Sequence, residues 1–317
     1  MQAYIARRML QIVPVLVLAT IGMFLMVYFL PGDPAANLMG EEIMSATPEQ
    51  IADFRQRHGL DKPFPVQYAT WVMNALQGDL GRSFRNREPV RDSIAARLPI
   101  TLELAIFSTL IAILIGVPCG IVSAVKRGSI LDMVTTSFSV GWVALPNFWF
   151  AIMLVMVFAV WLQWVPVAGF VPLAQDPFAN LKGMLLPSFA LGSHYAAVLA
   201  RQTRSAMLEV LEQDYVRTAR AKGLRELRVI LIHSLRNALI PIVTVLGLHL
   251  GRVLGGTVII ETIFSIPGMG SFVVASINGR DYVAAQGAIV VLILGVQISN
   301  LLTDIMYAYV DPRIRYV

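Results

Sequence analysis

Apolar residues run through this chain in long, charge-poor stretches, separated by short charged turns and two longer polar segments. A helix needs about 20 consecutive apolar residues to cross a hydrocarbon core. Residues 9–32, 99–125, 134–160, 183–207, 237–260 and 282–306 meet that length, which predicts six transmembrane helices in an all-α membrane protein. The third lies in a charge-free run, 133–175, too long for one crossing and too short for two with a loop. It is predicted to kink at Pro146, and Trp161 and Trp164 fall where an interfacial aromatic belt belongs.

The pattern divides the chain into an N-terminus with its first span (1–32), a long extracytoplasmic loop between helices 1 and 2 (33–98), and a five-helix core (99–317). In the loop, Thr47-Pro48-Glu49-Gln50 reads as a capping box with proline at the first helical position, opening a helix that Gly59 closes. Residues 65–76 and 89–97 read as two further short amphipathic helices. This loop is either a cap over the core or a platform for an external partner.

Composition agrees with the pattern. Of 317 residues, 56% are hydrophobic and 14% charged, against about 25% charged in a soluble domain. A single cysteine, Cys119, leaves no intrachain disulfide and no cysteine-based metal site. The N-terminal apolar run is longer than a signal peptide's and shows no small-residue cleavage site, so an uncleaved first span is expected. The net charge of +5 sits in membrane-flanking turns, which points to lipid and away from nucleic acid. Short loops on the side of Arg7, Arg8, Lys126, Arg127, Arg313 and Arg315 hold fourteen basic residues, against Lys182 and Arg280 opposite. Both termini are therefore expected in the cytoplasm.

The most basic segment, about 208–236, is a cytoplasmic loop by that count. Eight Arg and Lys lie between Arg201 and Arg236, against Glu209, Glu212, Asp214 and Glu226. Tyr215 to Lys222 suits about two helical turns, stopped by Gly223 at the C′ position. A second amphipathic stretch follows, with Leu227, Ile230, Leu231, Ser234 and Leu235 on its apolar side. The segment is either a solvated basic loop beside anionic lipid or a docking element for a partner.

Its residues favour docking. Thr218-Ala219-Arg220-Ala221-Lys222-Gly223 resembles the coupling (EAA) loop of binding-protein-dependent ABC importers. The run from Asp214 through Gly223, with His-Ser-Leu-Arg-Asn-Ala-Leu-Ile-Pro (233–241) after it, is similar to the peptide/nickel branch of those permeases. So are Pro-Gly-Asp-Pro (31–34) and Glu-Thr-Ile-Phe-Ser-Ile-Pro-Gly-Met-Gly (261–270). Against the general pattern, Arg217 stands for the leading Glu, Thr218 for the first Ala, and Arg236 for a later Pro, departures that fit the peptide branch. The resemblance implies an ABC importer permease fold with Asp214, Tyr215, Arg217, Thr218, Ala219, Arg220, Ala221, Lys222, Gly223 and Leu224 coupling to an ATPase. It further implies a second homologous permease subunit, two cytoplasmic ATPase subunits that bind ATP and Mg, an extracytoplasmic binding protein, and a bacterial inner membrane location.

In the fifth span Gly247, Gly251 and Gly255 recur every four residues as a close-packing seam, with His249 and Arg252 beside it. An ionised group at mid-membrane costs at least about 2.5 kcal/mol, so Arg252 should meet a partner or a cavity. Glu261 is about half a helical revolution away and cannot pair with it on one face. The seam either packs against a companion subunit or lines the passage; the passage is favoured because lipid would not tolerate these polar groups. His249 is taken as the one mid-span histidine.

The lysines Lys62, Lys126, Lys182 and Lys222 are followed by Pro, Arg, Gly and Gly, so none completes a G-x-x-x-x-G-K-[ST] phosphate loop. ATP must then be hydrolysed by another chain, and this one is expected to bind no cofactor or metal and to catalyse nothing. Neither H-E-x-x-H nor G-x-S-x-G occurs. The expected cargo is a di- or oligopeptide or a related solute such as glutathione, with nickel as the alternative in the same branch. An ion-coupled secondary carrier, the alternative from another class, would place carboxylates in mid-span, whereas Glu103, Glu261 and Asp304 lie near span ends.

Overall fold

The computed structural model describes residues 2–28, 47–57, 59, 61–166 and 169–310. Its helices are α1 (Gln2–Tyr28), α2 (Pro48–Arg57), α3 (Phe64–Leu76), α4 (Val90–Val125), α5 (Ile130–Ala144) and α6 (Asn147–Leu154, continued by a π-helical Val155–Trp161). After these come α7 (Pro177–Leu211), α8 (Asp214–Ala221), α9 (Leu235–Ile263), α10 (Met269–Asn278) and α11 (Tyr282–Val310). A helical turn, Glu226–Arg228, and a π-helical Val229–Ser234 lead into α9. Among the described residues there is no β-strand, only an isolated antiparallel bridge between Arg82 and Pro89. Four of the described helices are long and apolar enough to cross a membrane, and counting each sharply bent pair as one span brings the total to six.

The most extensive helix pairing is between α4 and α7. Lipid tails are as apolar as leucine, so helices in a bilayer associate by close packing, which small residues permit. On α4, Ser108, Ala112, Gly116, Gly120 and Ala124 recur every four residues, all buried; on α7, Ser188, Gly192, Ala196 and Ala200 do the same. The backbones meet along this stripe. A Cβ added at Gly116 would stand 2.7 Å from the Ala196 carbonyl oxygen, and one at Gly120 2.5 Å from that of Ala200. From the other side, a Cβ at Gly192 would stand 2.5 Å from the Ser108 oxygen. Partners ascend together along both helices, so α4 and α7 run parallel.

α4 absorbs two predicted elements. The short helix expected at 89–97 and the second span form one helix of 36 residues, with Pro99 inside it. At 1.5 Å per residue it is about 54 Å long, well beyond a core of about 30 Å. Its first turns bring Val90 and Ile94 against Met269, Ala284 and Ala288.

The third span is broken where a kink was expected. α5 and α6 meet at 99°. Leu145 and Pro146 are both extended (ψ 131° and 129°), because the residue before a proline is driven out of the α region. Rings brace the elbow: Trp142 meets Phe150 edge-to-face at 4.6 Å, stacks on Phe138 at 4.9 Å, and Phe150 reaches Phe189 of α7 at 6.1 Å. Trp161 and Trp164 are exposed, as a belt requires.

The capping box at α2 is present, with Thr47 N–H donating to Gln50 Oε1 (2.8 Å) and Gln50 N–H to Thr47 Oγ1 (3.3 Å), and Gly59 closes the turn at φ +64°. α3 lies against α1, where Phe24 meets Phe64 and Tyr68 edge-to-face and the Tyr68 hydroxyl is 2.9 Å from Thr20 Oγ1. The following loop is fastened to the core. Ser83 Oγ and the Phe84 N–H donate to Asp281, whose carboxylate also accepts the Ala284 N–H (3.2 Å) at the start of α11. Arg97 lies 4.4 Å over the Phe272 ring.

α9 packs on α7 and α11, and its glycine stripe has an intrachain role. A Cβ at Gly247 would overlap Thr303 of α11, and one at Gly251 would stand 2.7 Å from Asn300 Oδ1, whereas nothing lies within 4 Å of one at Gly255. At Gly247 and Gly251, then, the stripe is filled by the last helix of the same chain, an arrangement that neither the passage nor the companion-subunit expectation included. The side chains of His249 and Arg252 lie outside the described residues, as do residues 31–34 and 311–317.

These contacts give two predictions. Overpacking costs about 1–3 kcal/mol, so Gly192→Leu should lower the melting temperature of the purified protein by several degrees. Gly141→Leu, at a glycine with nothing within 4 Å, should leave it unchanged. Gly247→Ala should destabilise likewise, and Thr303→Ala added to it should recover part of the loss in the same melt, since two of the clashing atoms are then gone.

Candidate coupling site

α8 follows α7 after a two-residue turn, with Gln213 as its N-cap. Asp214 in the first turn and Arg220 in the last complement the helix dipole. Only Val216 and Ala219, three residues apart and so on one face, are buried; they pack with Val229, Val210, Leu211 and Leu224. The helix is thus seated by an apolar underside and keeps Tyr215, Arg217, Thr218, Ala221 and Lys222 exposed.

Its C-terminus is a Schellman motif. Gly223 takes φ +75°, its N–H donates to the Arg220 carbonyl (2.9 Å), and the Leu224 N–H donates to that of Ala219 (3.4 Å). Leu224 also packs against the cluster of Val216, Ala219 and Val229, in keeping with the apolar contact that accompanies this motif. Gly223 therefore sits at C′, as predicted. Beyond it Arg220 grips Glu226 at two points (Nη2–Oε1 2.7 Å, Nε–Oε2 3.2 Å), which holds the Glu226 carboxyl below the usual carboxylate range. Asn237 Nδ2, in the first turn of α9, donates to the Tyr215 hydroxyl (2.7 Å). Thr218 Oγ1 donates to the Asp214 carbonyl (2.9 Å), and Arg217 pairs loosely with Asp214 at 3.5 Å.

The second amphipathic stretch differs from expectation. The turn Val229–Ser234 is π-helical, and its wider winding buries Val229, Ile230 and Ser234, while Leu227, Leu231 and Ile232 face outward. An apolar face drawn at 3.6 residues per turn places Leu227 and Leu231 on the wrong side.

Three buried acids escaped the sequence reading as joints. Asp132, 5% exposed, accepts Arg204 Nε (2.6 Å) and Nη2 (2.9 Å), the Gly128 N–H (2.9 Å) and the Ser123 hydroxyl. Arg204, counted above among the eight basic residues between Arg201 and Arg236, is thereby fixed to α5. Glu261, fully buried, accepts Thr101 Oγ1 (2.7 Å) and the Ser271 N–H (2.9 Å); the same Thr101 hydroxyl accepts the Met269 N–H (2.8 Å). Gly268 and Gly270 leave room for that carboxylate, since a Cβ on either would crowd it. This accounts for the Glu-Thr-Ile-Phe-Ser-Ile-Pro-Gly-Met-Gly run as a helix break capped from within. Asp281 is the third. His249 is not the one mid-span histidine: His194 lies halfway along α7, half-buried beside Tyr195. The signal for all of these was an ionisable residue inside or just before an apolar run.

The chain matches two family descriptions, "Binding-protein-dependent transport system inner membrane component" over residues 116–316 and its N-terminal counterpart over 1–105. It is 44% identical over 319 residues to the oligopeptide transport system permease protein AppB of Bacillus subtilis and 41% identical over 336 to the dipeptide transport system permease protein DppB of Alkalihalophilus pseudofirmus. It is also 38% identical over 339 residues to the dipeptide transport system permease protein DppB of Escherichia coli. All of this chain and 99–100% of each relative are covered. Among solved structures, a chain of the inward-facing MetNI methionine ABC transporter superposes with a TM-score of 0.56 at 17% identity, covering 69% of this chain and 96% of that one, a likeness of fold alone. A helical bundle with four to six candidate spans, a likeness of fold to an ABC transporter chain, and full-length matches to transport system permeases converge: the chain belongs to the family of binding-protein-dependent transport system inner membrane components.

Proposed function

We propose that this chain is the transmembrane pathway subunit of an ATP-driven importer of di- or oligopeptides, fed by an extracytoplasmic binding protein. In this reading it pairs with a second, homologous permease subunit. Two cytoplasmic ATPase subunits, which carry the ATP and Mg, dock beneath. The full-length similarity to dipeptide and oligopeptide permeases supports the cargo. The excess of basic residues in one set of short loops supports a bacterial inner membrane location with both termini cytoplasmic.

The observation that carries the coupling role is α8 itself. Its Val216 and Ala219 are consumed by intrachain packing, its last turn is closed by Gly223, and its outer face is left polar and unburied. A short helix fixed by its underside to the end of a membrane span transmits a push without absorbing it. Asp214, Tyr215, Arg217, Thr218, Ala219, Arg220, Ala221, Lys222, Gly223 and Leu224 form this element, with Arg217, Thr218, Ala221 and Lys222 as the contact face. The extracytoplasmic segment 33–98 is the platform for the binding protein, steadied by α3 on α1 and by the Asp281 joint.

Gly223→Val tests this. A β-branched residue at φ +75° is strained by roughly 1–2 kcal/mol and should tilt α8 off its seat. In proteoliposomes holding the whole complex, peptide-stimulated ATP hydrolysis should fall about tenfold, a typical size for a lost coupling, with insertion and assembly unchanged. Stimulation at the wild-type level would exclude α8 as the coupling element.

A further inference from the structure

Asp132 and Arg204 form a joint that α8, as read above, does not explain. Asp132 stands in the first turn of α5. Its carboxylate gathers donors from the end of α4 (Ser123), from the connecting turn (Gly128 N–H, 2.9 Å) and from α7 (Arg204 Nε 2.6 Å and Nη2 2.9 Å). Thr136, one turn further along α5, adds a weak fifth contact at 3.4 Å. A guanidinium held by two nitrogens on one carboxylate fixes orientation as well as distance. Arg204 lies about two turns before the end of α7, and α8 begins just past that end. A second pair spans the same gap on the surface, Arg127 Nη1 to Glu212 Oε1 at 3.0 Å, where both side chains are about two-thirds exposed. Exposed pairs of that kind hold weakly, so the rigid link between the α4–α5 turn and the root of α8 is the buried one.

The far end of α5 is the 99° elbow at Leu145 and Pro146, two extended residues between helices. Hinges are commonly a few element-terminal residues that absorb backbone rotation. A continuous line of contacts therefore runs from α8 to the end of α7, through the Arg204–Asp132 fork to the start of α5, and along α5 to the elbow, where the Phe150 and Phe189 rings lie 6.1 Å apart.

We infer that Asp132 and Arg204 are positioning residues for transport, a two-point clamp that passes movement of α8 into the broken α5–α6 hairpin. The inference rests on the coupling reading of α8, and the experiment separates the two. In proteoliposomes of the full complex, peptide uptake per ATP hydrolysed is measured for Arg204→Lys and Asp132→Asn, with basal hydrolysis alongside. Arg204→Lys keeps the charge and gives up the fork. It should assemble with near-normal basal hydrolysis and lower uptake per ATP by about threefold, and Asp132→Asn by about tenfold, sizes in keeping with measured couplings between sites. A role confined to stability would lower basal hydrolysis, stimulated hydrolysis and uptake in proportion and leave their ratio untouched. That result, in Arg204→Lys alone if Asp132→Asn does not assemble, overturns the clamp. Gly223→Val is run in parallel. Lost peptide stimulation in Gly223→Val with a wild-type ratio in Arg204→Lys rejects the clamp and keeps α8; wild-type stimulation in Gly223→Val together with a wild-type ratio in Arg204→Lys rejects both.

Discussion

The backbone contact between α4 and α7 is the constraint on which the other elements depend. A bilayer supplies no hydrophobic force to drive two helices together, so their attraction must come from dispersion at short range. Dispersion is strong only where backbones approach, and approach requires that side chains be nearly absent along one stripe of each helix. Gly116, Gly120 and Gly192 meet that requirement, with Ser108, Ala112, Ala196 and Ala200 completing the stripe. With α4 and α7 fixed side by side, α9 packs on the free flank of α7, α5 and α6 bend around them, and α8 hangs from the end of α7.

Polar groups are then placed where helices begin. Asp132, Glu261 and Asp281 are each 5% exposed or less, and each accepts a backbone N–H near the start of a helix: Gly128 before α5, Ser271 in α10, Ala284 in α11. In water such N–H groups would be solvated. Within or beside hydrocarbon they must find a partner in the protein, and a carboxylate near the positive end of the helix dipole is the strongest acceptor on offer. Each acid also takes a hydroxyl donor from another element, Ser123 at the end of the preceding helix for Asp132 and the distant Thr101 and Ser83 for the other two. A helix cap is thereby made into a tertiary joint. The three joints differ in reach: those of Glu261 and Asp281 secure α10 and the start of α11, while that of Asp132 extends through Arg204 to the helix that carries α8.

How much of this was legible in the sequence follows from what each feature needs. The spans were legible because they need only length and apolarity, and the capping box and the Gly223 terminus because they are local motifs whose partners lie within six residues. The α4–α7 stripe was not, because serine and alanine alternate with glycine in it and neither helix announces its partner. The stripe that did stand out, Gly247, Gly251 and Gly255, was legible as a packing face, but that α11 fills it at Gly247 and Gly251 and leaves Gly255 open was not. Pro146 was seen, yet a kink and a 99° break share one sequence signal, and only the aromatic packing of Trp142, Phe150 and Phe189 distinguishes them. The π-helical turn at Val229–Ser234 has no such signal, so the outward turn of Leu227 and Leu231 could not be read from a 3.6-residue wheel.

Two kinds of glycine in this chain make the division of labour visible. At Gly192 the backbone is helical and the space is missing: the Ser108 carbonyl oxygen occupies the place where a Cβ would go. At Gly223 the space is open, with no atom within 4 Å, and the backbone conformation is what excludes a side chain. The first kind holds spans together and is indifferent to backbone freedom. The second ends α8 on a left-handed residue, so the chain turns back over Ala219 through Leu224 and the apolar underside closes. Asparagine, which tolerates that conformation better than other side chains, suits position 223 and not position 192. A residue chosen for shape alone midway along α7 and another chosen for dihedral angle alone just past the end of α8 thus separate the requirement for packing spans together from the requirement for aiming the short helix that follows them.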